Sequence, residues 1–145
     1  MADVTKMLEQ DHREAEDLFA KIKETNGAAR ANLVTKLAGA LRLHMKVEET
    51  IVYPAIAKQV DDGDDMVAEA TTEHEGARKA LADVEKLSPN EPGFDGALEM
   101  LEAGISHHVE EEEDEVFPKF RESVSSAELE ELGDEVAVAK QASPA

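Results

Sequence analysis

Two segments of the chain repeat an ordered set of metal-ligand residue types. Residues 44–54 have the sequence HMKVEETIVYP, and residues 108–118 have the sequence HVEEEEDEVFP. Aligned without a gap, both contain a His, a Glu four residues later, a second Glu, a Val, an aromatic residue and a Pro. A spacing of four places the His and the first Glu on one face of a helix. Each segment is therefore predicted to supply half of a two-metal site.

Four of the five histidines lie on the apolar faces of predicted helices, one in each helix. The spacing of apolar residues predicts helices over residues 3–24, 28–60, 65–87 and 94–123. The four predicted faces are Val4, Leu8, His12, Ala15, Phe19 and Ile22; Leu33, Leu37, Ala40, His44, Glu48, Ile51 and Ala55; Val67, Ala70, His74, Ala77, Leu81 and Val84; and Leu98, Leu101, Ile105, His108, Glu112 and Val116.

Glycine, proline and polar clusters mark the ends of these helices. Breaks are expected at residues 26–27, 61–65 and 88–93. Pro54 and Pro118 lie late in their helices and are expected to kink or locally unwind them. After residues 125–126, a short tail helix is expected through Leu129, Leu132 and Val136, and residues 141–145 are expected to be frayed.

The pattern predicts an all-α protein, an up-down-up-down four-helix bundle with a short C-terminal helix. The bundle is assigned to residues 1–124 and the short helix and tail to residues 125–145. The two halves of the bundle form a repeat, because the central segments are offset by 64 residues (108 minus 44). Equivalent positions are therefore expected to face each other across the core.

In such a bundle, four imidazoles and two carboxylates would meet in the core. A buried carboxylate without a partner is destabilising, and two close together repel each other. A pair of cations removes both problems. We expect one metal to bind His12 and His44, the other to bind His74 and His108, and Glu48 and Glu112 to bridge them. Taken singly, each histidine could instead be a hydrogen-bonded core residue, so the prediction depends on the whole set.

Other residues near these ligands are weaker candidates. Glu16, Glu49 and Glu113 could bind metal or accept a hydrogen bond from a ligating histidine. His107 and Glu111 repeat the spacing of His108 and Glu112, but His107 lies off the apolar face and is expected to be a flanking or surface residue.

Composition excludes several classes of function. The net charge of −19 and the low aromatic content argue against nucleic acid and anionic membranes as partners. The absence of cysteine excludes thiolate metal sites and disulfides. No apolar segment is long enough to span a bilayer and no secretory pattern is present, so a cytoplasmic protein is expected. Oligomeric state is left open, and a monomer is compatible with the sequence.

Over roughly its first 120 residues, the chain resembles the hemerythrin-like, HHE cation-binding family. The resemblance depends on His12, on residues 44–48 and 108–112, on His74 and on the two aromatic-Pro pairs. It implies a four-helix bundle that holds two iron ions bridged by oxide or hydroxide, with manganese or zinc less favoured. It also implies small-molecule partners such as O2, H2O2 or NO.

The chain departs from the oxygen-carrying hemerythrins at Arg78, where those proteins have a further histidine. This departure puts reversible oxygen transport in doubt. Tyr53 is the candidate substitute ligand, because it is the only tyrosine and its counterpart in the repeat is Phe117. An ideal helix places Tyr53 away from the His44 face, so packing at the kink is an equal alternative.

The leading prediction is a non-haem di-iron protein that reacts with small oxidants in oxidative-stress protection. It would decompose hydrogen peroxide as a catalase-like oxidoreductase, bind nitric oxide, or both. Whether it is an enzyme is left open. The alternative is a non-catalytic module that binds or senses oxygen, iron or nitric oxide.

Overall fold

The computed structural model describes residues 2–142, which form seven α-helices and two π-helical turns. The α-helices are α1 (Val4–Glu24), α2 (Gly27–Val47), α3 (Tyr53–Gln59), α4 (Gly63–Glu85), α5 (Phe94–Glu111), α6 (Phe117–Ser123) and α7 (Ser126–Ala142). The chain passes from α2 into α3, and from α5 into α6, through a π-helical turn without an intervening loop. The predicted all-α four-helix bundle with a C-terminal helix is confirmed.

The apolar core consists of two clusters, with the polar layer between them along the helices. One cluster, towards the loop that joins α4 and α5, includes Phe19, Leu37 and Leu98. The other, towards α7, includes Leu8 and Phe120. In α1, for example, buried His12 lies between Leu8 of the second cluster and Ala15 of the first cluster. Apolar packing on both sides therefore holds the histidine layer in place.

The two π-helical turns, Glu48–Val52 and Glu112–Val116, each end two residues before a proline. In the first, the Tyr53 N–H donates to the carbonyl of Glu48, five residues earlier instead of four. Because the turn contains one extra residue, the side chains after it are rotated about the helix axis by about one residue position. The kinks predicted at the two prolines are therefore π-helical turns before them.

This shift corrects the predicted faces. Ile51 of the first π-helical turn and Ala55 of α3 are only partly buried, as is Val116 in the other half. The core instead receives Val52, Tyr53 and Ile56, each fully or almost fully buried. A second correction concerns Ala40, which is exposed, because the buried face of α2 passes through Leu41.

The C-terminal helix α7 is 17 residues long and packs against the bundle. Leu129 and Val136 are buried against it. A Cβ at Gly133 would lie 2.2 Å from the carbonyl oxygen of Ala2, so only glycine allows this close approach to the start of α1. Of the frayed end predicted for residues 141–145, residues 143–145 lie outside the described residues.

Candidate metal centre

Six side chains of metal-ligand type meet in the core and are almost fully buried: His12, His44, Glu48, His74, His108 and Glu112. They come from α1, α4 and the last turns of α2 and α5 with the π-helical turns that follow. The first half of this centre contains His12 and His44. His12 Nε2 lies 3.1 Å from Glu112 Oε1, and His44 Nε2 lies 3.2 Å from Glu48 Oε1.

The second half contains His74 and His108. His74 Nε2 lies 3.1 Å from Glu48 Oε1 and 3.1 Å from His108 Nε2. His108 Nε2 lies 3.2 Å from Glu112 Oε2. Each glutamate therefore contacts one histidine from each half, Glu112 through its two oxygens and Glu48 through Oε1 alone.

Each histidine directs its other ring nitrogen, Nδ1, at a carboxylate outside the cluster. The four pairs are His12–Glu113 (2.7 Å), His44–Asp11 (2.8 Å), His74–Glu49 (2.6 Å) and His108–Glu73 (2.6 Å). An Nδ1–H that donates to a carboxylate fixes the ring and leaves Nε2 free to bind a metal. All four rings are thus oriented with Nε2 facing the centre.

The sequence identified two of these four acceptors, Glu49 and Glu113, and missed Asp11 and Glu73. A signal was present, because each missed residue is acidic and directly precedes a histidine of an apolar face. What pairs them is the helix packing. Asp11 of α1 reaches His44 of α2, and Glu73 of α4 reaches His108 of α5.

Tyr53 faces the centre, although an ideal helix would direct it elsewhere. The π-helical turn brings it inward, where it is 1% exposed. Its hydroxyl donates to Glu112 Oε2 at 2.7 Å and lies 3.2 Å from His74 Nε2 and 3.3 Å from His108 Nε2. A phenol oxygen therefore lies in the second half of the centre.

Three other residues lie outside the centre. Glu16 is more than half exposed and pairs with Arg13, so the structure does not bring this weaker candidate to the cluster. Arg78 makes two 2.9 Å contacts to Glu49, the carboxylate that accepts a hydrogen bond from His74. It therefore holds in place the group that orients His74. His107 is 66% exposed and pairs with Glu111 at the surface.

The electrostatics of the protein without metal show how strongly the centre favours positive charge. Burial lowers the pKa of His44, but Glu48, Asp11 and Glu112 outweigh it and raise this pKa to about 10. Burial also lowers the pKa of His108, but Glu112 and Glu48 outweigh this effect and raise the pKa to about 12. For Glu48, burial is outweighed by the surrounding histidines, which hold the pKa of the carboxyl well below its usual range. Burial and the two glutamates raise the pKa of the Tyr53 phenol.

Four buried atoms of the centre make no hydrogen bond, although His12 Nε2 lies 3.1 Å from Glu112 Oε1 and His44 Nε2 lies 3.2 Å from Glu48 Oε1: they are His12 Nε2, His44 Nε2, Glu48 Oε2 and Glu112 Oε1. Buried polar atoms are rarely left unpaired in folded proteins. All four belong to residues of one group, His12–His44–Glu48–Glu112, in which one ligand atom from each residue lies within 4.8 Å of the others; Glu48, His74 and His108 form a second such group. Metal coordination would satisfy these atoms, so the residues present fit a metal centre.

Two spaces adjoin the centre. A cavity of about 20 Å³ is enclosed by the four histidines with Glu73 and apolar side chains, among them Leu41, Ala77 and Ile105. An apolar groove of about 410 Å³ between α1 and α2 reaches His12 and His44 from the surface. The cavity has room for about one water-sized molecule.

The fold and this centre are those of a cation-binding four-helix bundle. The model of the Hemerythrin HHE cation binding domain matches residues 3–120. The chain therefore belongs to the hemerythrin HHE cation-binding domain family, which confirms the resemblance seen in the sequence. As a member of this family, it is a metal-binding protein.

A solved structure supports the assignment. The chain is 28% identical to a Hemerythrin HHE cation binding domain-containing protein from Mycobacterium kansasii, a homolog of Rv2633c, whose crystal structure it matches with a TM-score of 0.86. The match covers 97% of this chain and 87% of that one. The shared architecture thus includes α7 as well as the bundle.

Two relatives match in sequence. An uncharacterized hemerythrin-like protein of Schizosaccharomyces pombe is 25% identical over 130 residues, and a DNA nickase of Nostoc sp. is 24% identical over 139 residues. These matches cover 88% and 95% of this chain but only 64% and 39% of the relatives. Within residues 2–142, no helix is long and apolar enough to cross a membrane.

Proposed function

We propose that the protein is a non-haem di-iron protein that reacts with small oxidants, by decomposing hydrogen peroxide, by binding nitric oxide, or by both. The observation that carries the proposal is the 20 Å³ cavity against the four histidines. It has room for about one water-sized molecule beside the histidines, which suits a small ligand such as peroxide or nitric oxide. Apolar side chains, among them Leu41, Ala77 and Ile105, form the rest of its wall.

The ligand set supports iron as the metal. Mixed imidazole and carboxylate ligands without thiolate suit iron and manganese, and the chain has no cysteine. His12 and His44 would hold one ion, His74 and His108 the other, with Glu48 and Glu112 shared. Manganese and zinc bind the same ligand types and are the competing occupants.

Two iron ions in this position would supply redox chemistry towards the small molecule in the cavity. The chain's own residues would hold the ions and orient the histidines through their Nδ1 acceptors. The Tyr53 hydroxyl donates a hydrogen bond to Glu112 Oε2. Because it lies within 3.3 Å of Nε2 of His74 and His108, this hydroxyl could bind an ion held there or pass a proton to a substrate.

The residues around His74 argue against oxygen transport of the hemerythrin type. Arg78 occupies the position of the further histidine in oxygen carriers, and its guanidinium is turned to Glu49. Tyr53 Oη instead lies within 3.3 Å of both histidines of this half. We infer that a phenol replaces the missing imidazole, which favours reaction with peroxide or nitric oxide over reversible binding of oxygen.

The proposal is tested by metal analysis and visible spectroscopy of protein expressed with excess iron. We expect about two irons per chain, because the two groups of ligands each complete one site. Hydrogen peroxide, azide and nitric oxide should each change the spectrum, and peroxide should release oxygen. A content near one iron would contradict the paired centre, and unchanged peroxide would contradict the enzymatic half.

A non-catalytic sensor is the second candidate, and one chain of contacts favours it. Lys140 of α7 lies 2.6 and 2.5 Å from the two oxygens of Asp11, and Asp11 accepts from His44 Nδ1. The C-terminal helix is thereby connected to a ligand. A sensor would change the protease sensitivity of α7 on metal binding or oxidation without turning over peroxide.

A further inference from the structure

A second group of metal-ligand side chains lies at the surface beside the second half of the centre. His107 Nε2 is 2.9 Å from Glu111 Oε1 and 3.6 Å from Glu73 Oε2. One ligand atom from each of these three residues lies within 4.8 Å of the others. One imidazole and two carboxylates with open solvent positions suit a divalent transition-metal ion.

Glu73 connects this surface group with the buried centre. While its Oε2 faces His107, its Oε1 accepts from Nδ1 of the buried ligand His108 at 2.6 Å. A single carboxylate thus separates a solvent-exposed imidazole from a ligand of the buried centre.

A cavity of about 50 Å³ continues inwards from the same carboxylates. Glu73 and Glu111 line it together with His108 and Glu112 of the buried centre. Glu112 is 1% exposed; its Oε2 lies 3.2 Å from His108 Nε2, whereas its unpaired oxygen, Oε1, lies beside His12 of the first half. The cavity therefore joins the surface group to two residues of the buried centre.

The charge of the cavity wall favours cations. Five carboxylates line it, those of Glu69, Glu73, Glu111, Glu112 and Glu115. Lys119 is the single lysine or arginine among the lining residues. A narrow, low-dielectric cleft with charges of one sign concentrates ions of the opposite sign.

The other half of the centre has a built-in cation at the corresponding place. Asp11, which supports His44 as Glu73 supports His108, is paired with Lys140. In the part of the chain that the structure describes, no lysine or arginine pairs with Glu73. Two adjacent carboxylates repel each other unless a cation joins them. In the first half, the ammonium group of Lys140 thus neutralises the acceptor carboxylate. In the second half, the corresponding position beside Glu73 is accessible to a cation from solvent.

We propose that Glu73, His107 and Glu111 form a surface site for a divalent transition-metal cation, through which metal enters the buried centre. The ion binds His107 and Glu111 first, passes along Glu73 and reaches His108 and Glu112 through the cavity. The entry role rests on the proposed di-iron function, whereas binding of a cation at the surface does not.

The entry role is tested by the rate of iron uptake. Metal-free wild-type protein and the variant His107→Ala/Glu111→Gln are mixed with Fe²⁺ under anaerobic conditions, and loading is followed by stopped-flow absorption after an oxygen pulse. Glu99→Gln removes one exposed carboxylate from the same helix, away from the cavity, and is the charge control. Glu73 is left intact because it supports His108.

We expect the double variant to load about tenfold more slowly than wild type and the control to load at the wild-type rate, because clustered charge raises ion capture by about this factor or more. Final iron content and melting temperature should be unchanged, because the buried ligands are intact. Loading of the double variant at the wild-type rate would overturn the entry role and leave the di-iron proposal standing. Failure of the wild-type protein to bind iron would contradict both the entry role and the di-iron proposal.

The surface site itself is tested with Mn²⁺ on protein whose buried centre has been filled with diamagnetic Zn²⁺. A bound Mn²⁺ broadens the imidazole NMR signals of His107 at substoichiometric concentration, and Glu111→Gln weakens this effect. Equal broadening in wild type and Glu111→Gln, or no broadening below millimolar Mn²⁺, would overturn the site. Because this measurement uses no iron, its outcome does not depend on the di-iron proposal.

Discussion

The two halves of the buried centre present equivalent ligands but differ in the groups behind them. Asp11 and Glu73 play the same part for His44 and His108, yet Lys140 neutralises Asp11 whereas Glu73 faces the exposed imidazole of His107. In the first half, a lysine of α7, a helix outside the repeat, therefore neutralises the acceptor. In the second half, the acceptor instead lies against a solvent-exposed histidine.

The aromatic residues after the π-helical turns differ by one oxygen. Phe117 stacks on His12 with ring centroids 6.1 Å apart, and Tyr53 stacks on His74 with centroids 5.3 Å apart. Both rings fill the space beside a ligating histidine. Tyr53 alone adds a hydroxyl, which donates to Glu112. In the proposed di-iron centre, this extra hydroxyl would give the two metal positions different reactivity.

The largest effect is expected when one of the carboxylates that both halves share is replaced. Replacement Glu112→Gln removes the charge that contacts His12 through one oxygen and His108 through the other. Metal at about 1,000 times its dissociation constant stabilises a folded state by about 4 kcal/mol. We expect this variant to lose most of that stabilisation and both ions, as measured by metal analysis and by unfolding with and without metal. Retention of one ion at full affinity would show that the halves are independent, and exposed Glu110→Gln is the control.

Replacement of the Nδ1 acceptors separates the halves. Asp11→Asn should weaken metal binding at His12 and His44, and Glu73→Gln should weaken it at His74 and His108. Loss of such an acceptor lowers metal affinity by about 10- to 100-fold. Competition with a chelator, which resolves the two binding steps, measures each effect. If both variants weaken the same step, the assignment of each acceptor to its own half is wrong.

Tyr53 and Phe117 occupy equivalent positions, so each can be replaced by the residue type of the other. Tyr53→Phe should leave the metal content unchanged and lower the free energy of unfolding by about 1.5 kcal/mol, the value of a hydrogen bond to a charged acceptor. If Tyr53 binds iron, it should also remove a visible phenolate-to-iron band. Phe117→Tyr places a hydroxyl beside the first half and is the converse variant. An identical visible spectrum in wild type and Tyr53→Phe would exclude a bond between Tyr53 and iron.

The smallest expected effect concerns the helix outside the repeat. Lys140→Met removes the ammonium group that pairs with Asp11 and should lower stability by about 0.5 kcal/mol, because the pair is partly exposed to solvent. The first binding step should weaken by severalfold while the second is unchanged. Added salt should reduce the difference from wild type. An equal effect at both steps would mean that α7 acts through global stability.

Much of the fold could be predicted because the signal is local. Apolar residues at helical spacing gave α1 and α4 to within about two residues at each end. The convergence of His12, His44, His74 and His108 also followed, because one polar residue per apolar face must meet the others in a four-helix core. Apart from Ala40, the predicted faces failed after Glu48 and Glu112, where a π-helical turn inserts a residue and rotates the residues that follow.

What the sequence by itself determined is the class of the protein: an acidic helical bundle with paired histidine and glutamate ligands in its core. Residue type and spacing suffice for this, since both act within one helix. Only the tertiary structure decided which acid supports which histidine, because those pairs join different helices. It also decided that Tyr53 faces the ligands, because a π-helical turn rotates it inward, and that α7 reaches back to Asp11. These contacts depend on the angles and distances at which helices pack, which no spacing along a single helix encodes.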